Sequence, residues 1–157
     1  MSQHESVRLF LRDIVKSLRD DIQFTYSRQT DFNSIADKNN VCVHLDPLSG
    51  TPQIVDTSIN TNYSVAMLFY KQGEKGDTEE QFVPMLDDTA EILEKFLRKL
   101  NRYGDDEEGD ITTDVIQILS IRQEPAIKVL VNVFTGWILT FNLVIPDTFD
   151  YCSLYDS

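Results

Sequence analysis

The strongest constraint on the fold is the apolar alternation between Ile127 and Ile145. On either side of Thr135-Gly136, every second residue is apolar, which is the period of a β-strand that buries one face. The stretch is therefore predicted to be a β-hairpin with its turn near Thr135-Gly136. The alternating apolar positions are Ile127, Val129, Val131, Val133, Trp137, Leu139, Phe141, Leu143 and Ile145.

Two turn lengths give this hairpin different registers. A two-residue loop at Thr135-Gly136 pairs Asn132 with Leu139 and mixes polar with apolar side chains on one face. A three-residue loop, Phe134-Thr135-Gly136, keeps apolar pairs together and puts glycine where such loops need a left-handed residue. We predict the three-residue loop, which gives the pairs Val133–Trp137, Val131–Leu139, Val129–Phe141 and Ile127–Leu143.

An amphipathic helix is predicted from about Ser2 to Phe24. Ser2 and Glu5 have the spacing of a capping box at its start. Apolar residues then recur every three to four positions, at Val7, Phe10, Leu11, Ile14, Val15, Leu18 and Ile22. A single apolar stripe suits a helix that packs on a sheet, and this is favoured over a membrane-surface helix.

A second amphipathic helix is predicted from about Asp88 to Tyr103. Asp88 can cap its start, and Gly104 stands where a helix commonly ends. Its apolar stripe comprises Ala90, Leu93, Phe96, Leu97 and Leu100. Two such helices indicate a fold in which one layer of the molecule is helical.

Further strands are predicted around the second helix. They cover residues 41–45, 53–56, 60–72 and 114–122, and Glu124-Pro125 is predicted to break the chain before the hairpin. The order of elements indicates one α+β domain over residues 1–157, with an antiparallel sheet and two helices packed against it. Residues 146–157 are a possible C-terminal arm.

The residue types that carry chemistry form no recognisable motif. His4 is predicted to be exposed and His44 to lie at a surface or an interface, and they share no zinc-ligand spacing with Cys42 or Cys152. The chain has no phosphate-binding loop, no calcium-loop pattern and no nucleophile motif. We therefore expect a non-enzymatic protein without catalytic, cofactor-binding or metal-binding residues.

The charge argues against nucleic-acid binding. The chain has 26 acidic and 14 basic residues and a formal net charge of −12. Binding to a phosphate backbone needs clustered Lys and Arg, whereas here acids cluster at Asp105, Asp106, Glu107, Glu108 and Asp110. This loop is predicted to face either solvent or a lumen. No apolar run approaches the roughly 20 residues that span a bilayer, and no signal peptide is recognisable, so a protein made in the cytoplasm is expected.

The reverse side of the hairpin is a candidate interface. Its residues mix apolar with polar types, as surfaces that meet another chain often do. The candidate interface residues are Leu130, Asn132, Phe134, Ile138 and Thr140. Partial cover by one of the two helices is an equally good explanation of the same pattern.

The order of elements resembles that of the tail-terminator and neck-ring proteins of tailed bacteriophages. The resemblance consists of the N-terminal amphipathic helix, the strands, a helix introduced by Pro84-Met85-Leu86-Asp87-Asp88, and the closing hairpin through Thr135-Gly136-Trp137. The ending from Gly136 to Leu143 is similar to the last strand of such proteins, especially ring proteins of gut phages with short, complex tails. The family carries no catalytic residue to transfer.

The resemblance implies a structural virion protein. Six or twelve copies would form a ring between portal and tail, contact neighbouring portal, neck or tail proteins, and continue a channel through which DNA passes without specific binding. The acidic loop would then face the lumen. The ring would be assembled in the host cytoplasm and reside in the virion, without a membrane. The alternative is an acidic, non-enzymatic adaptor or inhibitor that binds a basic partner.

Overall fold

In the computed structural model, two α-helices pack against one face of a six-stranded β-sheet. The structure describes residues 2–26, 40–73, 79–104, 116–129, 134–147 and 149. In chain order the elements are α1 (Gln3–Leu18), β1 (Gln23–Tyr26), β2 (Cys42–Leu45), β3 (Ser49–Val55), β4 (Ser58–Gln72), α2 (Glu79–Gly104), β5 (Gln117–Val129) and β6 (Phe134–Pro146). The predicted α+β class is confirmed.

The sheet is mixed rather than purely antiparallel. Its strand order is β1-β2-β4-β6-β5, and β3 pairs with β4 further along the same side as β2. β1 runs parallel to β2, while the other pairs are antiparallel. The prediction of an antiparallel sheet was wrong because it placed Gln23 and Phe24 at the end of the first helix and so missed the strand β1.

Helix α1 begins as predicted and ends earlier. The Ser2 hydroxyl accepts a hydrogen bond from the Glu5 amide at 3.1 Å, which caps the helix. The helix ends at Leu18, and Arg19 already has an extended backbone. Ile22 is buried although it lies beyond the helix end, in the connection between α1 and β1. Its spacing from the helical apolar residues therefore does not mean that it is helical.

Helix α2 begins at Glu79 rather than Asp88 and reaches Gly104. Pro84 lies inside it, although a proline removes one backbone hydrogen bond from a helix interior. Val83 is exposed at 47%. The early turns therefore bury little apolar surface, so they lack the buried stripe from which the helix was predicted.

The β5–β6 hairpin exists, but its predicted turn and register are wrong. Phe134, Thr135 and Gly136 belong to β6, and Val129 pairs with Phe134 instead of Phe141. Leu143 pairs with Ile118 rather than Ile127. Val131 and Val133 lie outside the described residues.

The register differs because β5 is long and irregular. It continues through Glu124 and Pro125, where a break was predicted, and its pairing shifts between Leu119 and Arg122 and again between Ala126 and Val129. β5 is the last strand of the sheet. Proline is tolerated on an edge strand because the backbone groups on the outer side of such a strand have no partner strand. A missing N–H on that side therefore removes no hydrogen bond of the sheet.

Gly136 has a packing role instead of a turn role. It pairs with Tyr70 in β4 and with Ala126 in β5. A Cβ built on Gly136 would lie 1.8 Å from the carbonyl oxygen of Phe69 and 2.7 Å from Cα of Tyr70. Only glycine allows β6 to approach β4 this closely.

The main core lies between the helices and the inner face of the sheet. The largest buried side chains from the helices are Phe10, Leu11, Ile14, Ile92, Leu93 and Phe96, and those from the strands include Leu45, Met67, Phe69, Leu139 and Phe141. Five of these helix residues belong to the two predicted stripes, whereas the buried Ile92 lies outside the predicted stripe of α2. The side of the sheet that faces away from this core is called the outer face below.

The outer face has a small apolar cluster of its own. It consists of Cys42, Leu68, Tyr70, Ala126 and Phe134, with Ile138 partly buried beside it. The rings of Tyr70 and Phe134 are 4.6 Å apart between centroids. Cys42 is 2% exposed and packs in this cluster as a small apolar side chain.

Thr135 contributes a buried hydroxyl without a hydrogen-bond partner. The side chain is 0% exposed, and its Oγ1 has no partner among the described residues. An unpaired buried hydroxyl costs about 1–3 kcal/mol. Replacing Thr135 with Val should therefore raise the free energy of unfolding by about 1 kcal/mol, measured by urea denaturation.

Thr89 is a matched control for this substitution. It is also 0% exposed, but its hydroxyl donates to the Met85 carbonyl at 2.7 Å. The change Thr89→Val should lower stability by about 1 kcal/mol, because it removes a satisfied hydrogen bond. Equal effects of the two changes would show that the Thr135 hydroxyl is not a stability cost.

Candidate subunit interface

The structure describes three of the five predicted interface residues, and these three lie in two different environments. Leu130 and Asn132 lie outside the described residues. Phe134 is 1% exposed, so its side chain offers no surface to a partner in the single chain. Ile138 and Thr140 are half-buried, and their register places them with Leu68 and Ala66 on the outer face.

The two helices do not account for the burial on the outer face. The cluster around Phe134 contains strand residues and no residue of α1 or α2. The helices instead contribute to the main core on the inner face. The alternative explanation of the mixed pattern, partial cover by a helix, therefore does not apply to the residues that the structure describes.

The predicted acidic loop, Asp105, Asp106, Glu107, Glu108 and Asp110, lies outside the described residues. Charge is nevertheless separated along α2. Exposed acids occupy its first part at Glu80, Asp87, Asp88, Glu91 and Glu94, and basic residues occupy its last part at Lys95, Arg98, Lys99 and Arg102. Glu80 in the first turn and Arg102 in the last turn complement the helix dipole, and the charges between them lie too far from the helix ends for the dipole to account for them.

His44 is buried, in contrast to the predicted surface position. Its side chain is 1% exposed, with Nδ1 2.7 Å from the Thr25 hydroxyl and Nε2 3.4 Å from a carboxylate oxygen of Asp46. The assignment that fits these partners has Thr25 donating to Nδ1 and Nε2–H directed at the carboxylate. Burial raises the pKa of the Asp46 carboxyl, and the nearby His44 opposes that rise.

This Thr–His–Asp group connects the parallel strands β1 and β2. Thr25 pairs directly with His44 across the two strands. A substrate cannot reach a ring that is 1% exposed while the sheet is intact. The group is therefore best explained as a polar link between strands. No local sequence pattern indicates this group, because Thr25 and His44 are 19 residues apart.

Two of the sheet's margins, at β3 and at β5, are irregular in ways that oppose pairing with another strand. On one side β3 contains Pro52, and on the other side β5 contains Pro125 and a shift in register next to Ser120. Ser120 has a φ of 57°, a left-handed conformation that is uncommon outside glycine. Prolines and bulges protect sheet edges from edge-to-edge association, so an interface here would be formed by side chains.

A depression of about 320 Å³ lies on the outer face next to the bulge of β5. It is lined by Pro47, Ser64, Val65, Ala66, Ser120, Thr140, Phe141 and Asn142. The lining contains three hydroxyls and one amide, and no ionisable group. Leu119 and Ile121, which flank Ser120, are 47% and 54% exposed. The predicted interface residue Thr140 thus belongs to an open, polar recess.

Phe149, which was predicted to belong to a C-terminal arm, packs on the chain itself. It is 7% exposed, and its ring is 5.7 Å from that of Phe10. In the parts of the chain that the structure describes, no three residues among His, Cys, Asp and Glu are placed to share a metal ion. Neither α1 nor α2 is long and apolar enough to cross a membrane.

No protein-family model matches the chain, and no curated protein matches its sequence.

Proposed function

We propose that the chain is a structural subunit of a tailed bacteriophage, and that six or twelve copies form a ring between portal and tail. The observation that carries this proposal is the presence of two unlike, partly apolar surfaces at different places on the sheet. One surface is the recess flanked by Leu119 and Ile121, and the other is the β3–β4 hairpin with Ile54 and Ile59. A ring requires a head-to-tail contact between two such unlike patches.

The helical layer supports the same proposal. Both helices are used to cover the inner face, so the outer face and the β3–β4 hairpin are left for contacts between chains. The irregular edges keep strands of different copies from merging into one sheet. Separate copies can then associate through a defined side-chain surface.

The charge suits a channel that passes DNA. With a formal net charge of −12, a ring of such chains repels the phosphate backbone and does not retain it. Neighbouring portal, neck and tail proteins would dock on the two rims of the ring.

The proposal is tested by purifying virions from a lysate in which the gene for this chain is present. Quantitative mass spectrometry should find the chain in the particle at six or twelve copies for each twelve portal subunits. Cryo-electron microscopy should place these copies between portal and tail.

The contrary outcome is also well defined. Absence of the chain from purified virions, together with a stable complex between the chain and a basic protein in the same lysate, would favour the adaptor alternative. The exposed acids Asp87, Asp88, Glu91 and Glu94 on α2 would be the first surface to test in that case.

A further inference from the structure

The tip of the β3–β4 hairpin is an exposed and ordered projection. Val55 pairs with Ser58, and Asp56 and Thr57 form the connection. Ile54 and Ile59 face each other across the two strands and are 78% and 45% exposed. Two isoleucines side by side at an exposed tip form an apolar contact surface instead of isolated surface residues.

The same chain holds this tip in place. The backbone amide of Asp147 donates to the Ile59 carbonyl at 2.9 Å, and the Asp147 carboxylate accepts from the Ile59 amide at 3.3 Å. Asp56 has a φ of 57°, which fixes a tight connection between the strands. Since the tip is already ordered, little conformational entropy is lost when it binds.

The recess on the outer face complements this tip. The tip carries one carboxylate, Asp56, which in its ionised form only accepts hydrogen bonds. The recess offers the hydroxyls of Ser120 and Thr140 as donors, while the Ser64 hydroxyl already donates to Asn142 at 3.5 Å, and the lining contains no acid.

A basic residue and two apolar residues complete the match. Arg122 pairs with Thr140 across the strands, and its side chain is 74% exposed while it forms an ion pair with Glu124. Its guanidinium is therefore available beside the recess for a second carboxylate. Leu119 and Ile121 offer apolar surface to Ile54 and Ile59.

The tip cannot enter the recess of its own chain. Both include residues of the same strand, β4: the tip contains Ile59, and the β4 part of the recess begins at Ser64. Five residues of extended strand separate them by roughly 17 Å along a continuous sheet. The occupant that supplies this tip must be another copy of the chain.

We propose that the β3–β4 tip of one copy docks in the outer-face recess of the next, with Asp56 bound to Arg122 and with Ile54 and Ile59 packed on Leu119 and Ile121. This inference rests on the proposed ring function and specifies its interface. Tip and recess are different surfaces of one chain, so the contact is head-to-tail and closes into a ring at a suitable rotation.

The test uses one variant of the tip, Ile54→Glu, and one of the recess, Arg122→Glu, in the full chain. Each alone should weaken self-association at least about tenfold, as for a central interface residue, measured by sedimentation velocity. An equimolar mixture of the two should form a complex of two chains and nothing larger, because only one intact tip and one intact recess remain.

Two control variants introduce the same changes of charge at other exposed positions. Val83→Glu matches Ile54→Glu at an exposed apolar position, and Lys95→Glu matches Arg122→Glu at an exposed cation that is ion-paired with a neighbour. Both controls should associate like the unaltered chain. Circular dichroism establishes that all four variants are folded.

Two outcomes overturn the docking proposal. One is unchanged assembly of the tip and recess variants, and the other is a strictly monomeric unaltered chain at concentrations up to about 1 mM, where even weak contacts are populated. Neither outcome decides the proposed function, which depends on whether the chain is found in virions.

Discussion

Replacing Gly136 with alanine should disrupt the centre of the sheet. The added Cβ would lie 1.8 Å from the Phe69 carbonyl oxygen, and both nearest groups belong to the backbone of β4. Backbone atoms in a paired strand cannot move aside as side chains do, so β6 must separate from β4. We expect a loss of about 3 kcal/mol or more, at the upper end of overpacking effects, which is a large part of the total stability of a domain.

Gly50 provides the control for this prediction. A Cβ on Gly50 would approach Tyr63 Cε1 at 2.9 Å and Thr61 Cγ2 at 3.0 Å. These are side-chain atoms, which can shift further than the backbone of β4, although Tyr63 is itself buried and its hydroxyl donates to Gln3. Gly50→Ala should therefore cost less than Gly136→Ala, about 1–2 kcal/mol in urea denaturation. Equal denaturation midpoints for the two variants would contradict the close approach of β6 to β4.

Replacing Phe134 with alanine should have the second largest effect. The side chain is 1% exposed and packs against the Tyr70 ring in the outer-face cluster. Truncation of a fully buried phenylalanine costs about 3–5 kcal/mol. The loss should be visible in the unfolding of the monomer, before any association is measured.

Ile138 is the matched position for Phe134. It lies on the outer face beside the same cluster but is only partly buried. Ile138→Ala should cost about 1 kcal/mol, in proportion to the smaller apolar area that it removes from water. If Phe134→Ala leaves the monomer as stable as before and abolishes its association, then Phe134 is an interface residue, as the sequence pattern suggested, and not a core residue.

The helices were well predicted where a local pattern reports burial. The cap at Ser2 and the apolar stripes of α1 and α2 are determined by residues three to four positions apart. The first turns of α2 were missed because they carry little buried surface, and the end of α1 was misplaced because Ile22 keeps the helical spacing after the helix has ended.

The register of the hairpin was not predictable from alternation alone. Alternation fixes which residues of a strand share a face, but not which residues of the partner they meet. The shifts in β5 at Leu119–Arg122 and Ala126–Val129 change the pairing without breaking the alternation in β6. Pro125 suggested an interruption, although the edge position of β5 tolerates it.

The candidate interface was only partly accessible to sequence analysis. Ile138 and Thr140, which the mixed pattern singled out, are half-buried on the outer face, and their role in an interface stays a prediction. The burial of Phe134, the recess next to Ser120 and the exposed pair Ile54–Ile59 depend on contacts between strands that are distant along the chain. The burial of His44 was missed for the same reason, since its partner Thr25 lies on a different strand, β1.

The interruptions at Pro52, Ser120 and Pro125 have a consequence for the behaviour of the chain at high concentration. Smooth sheet margins template fibrous, cross-β growth when many copies meet. A proline on the β3 margin, and a left-handed residue and a proline on the β5 margin, make these two margins poor templates for such growth. Copies of the chain that meet at high concentration are therefore expected not to join through β3 or β5.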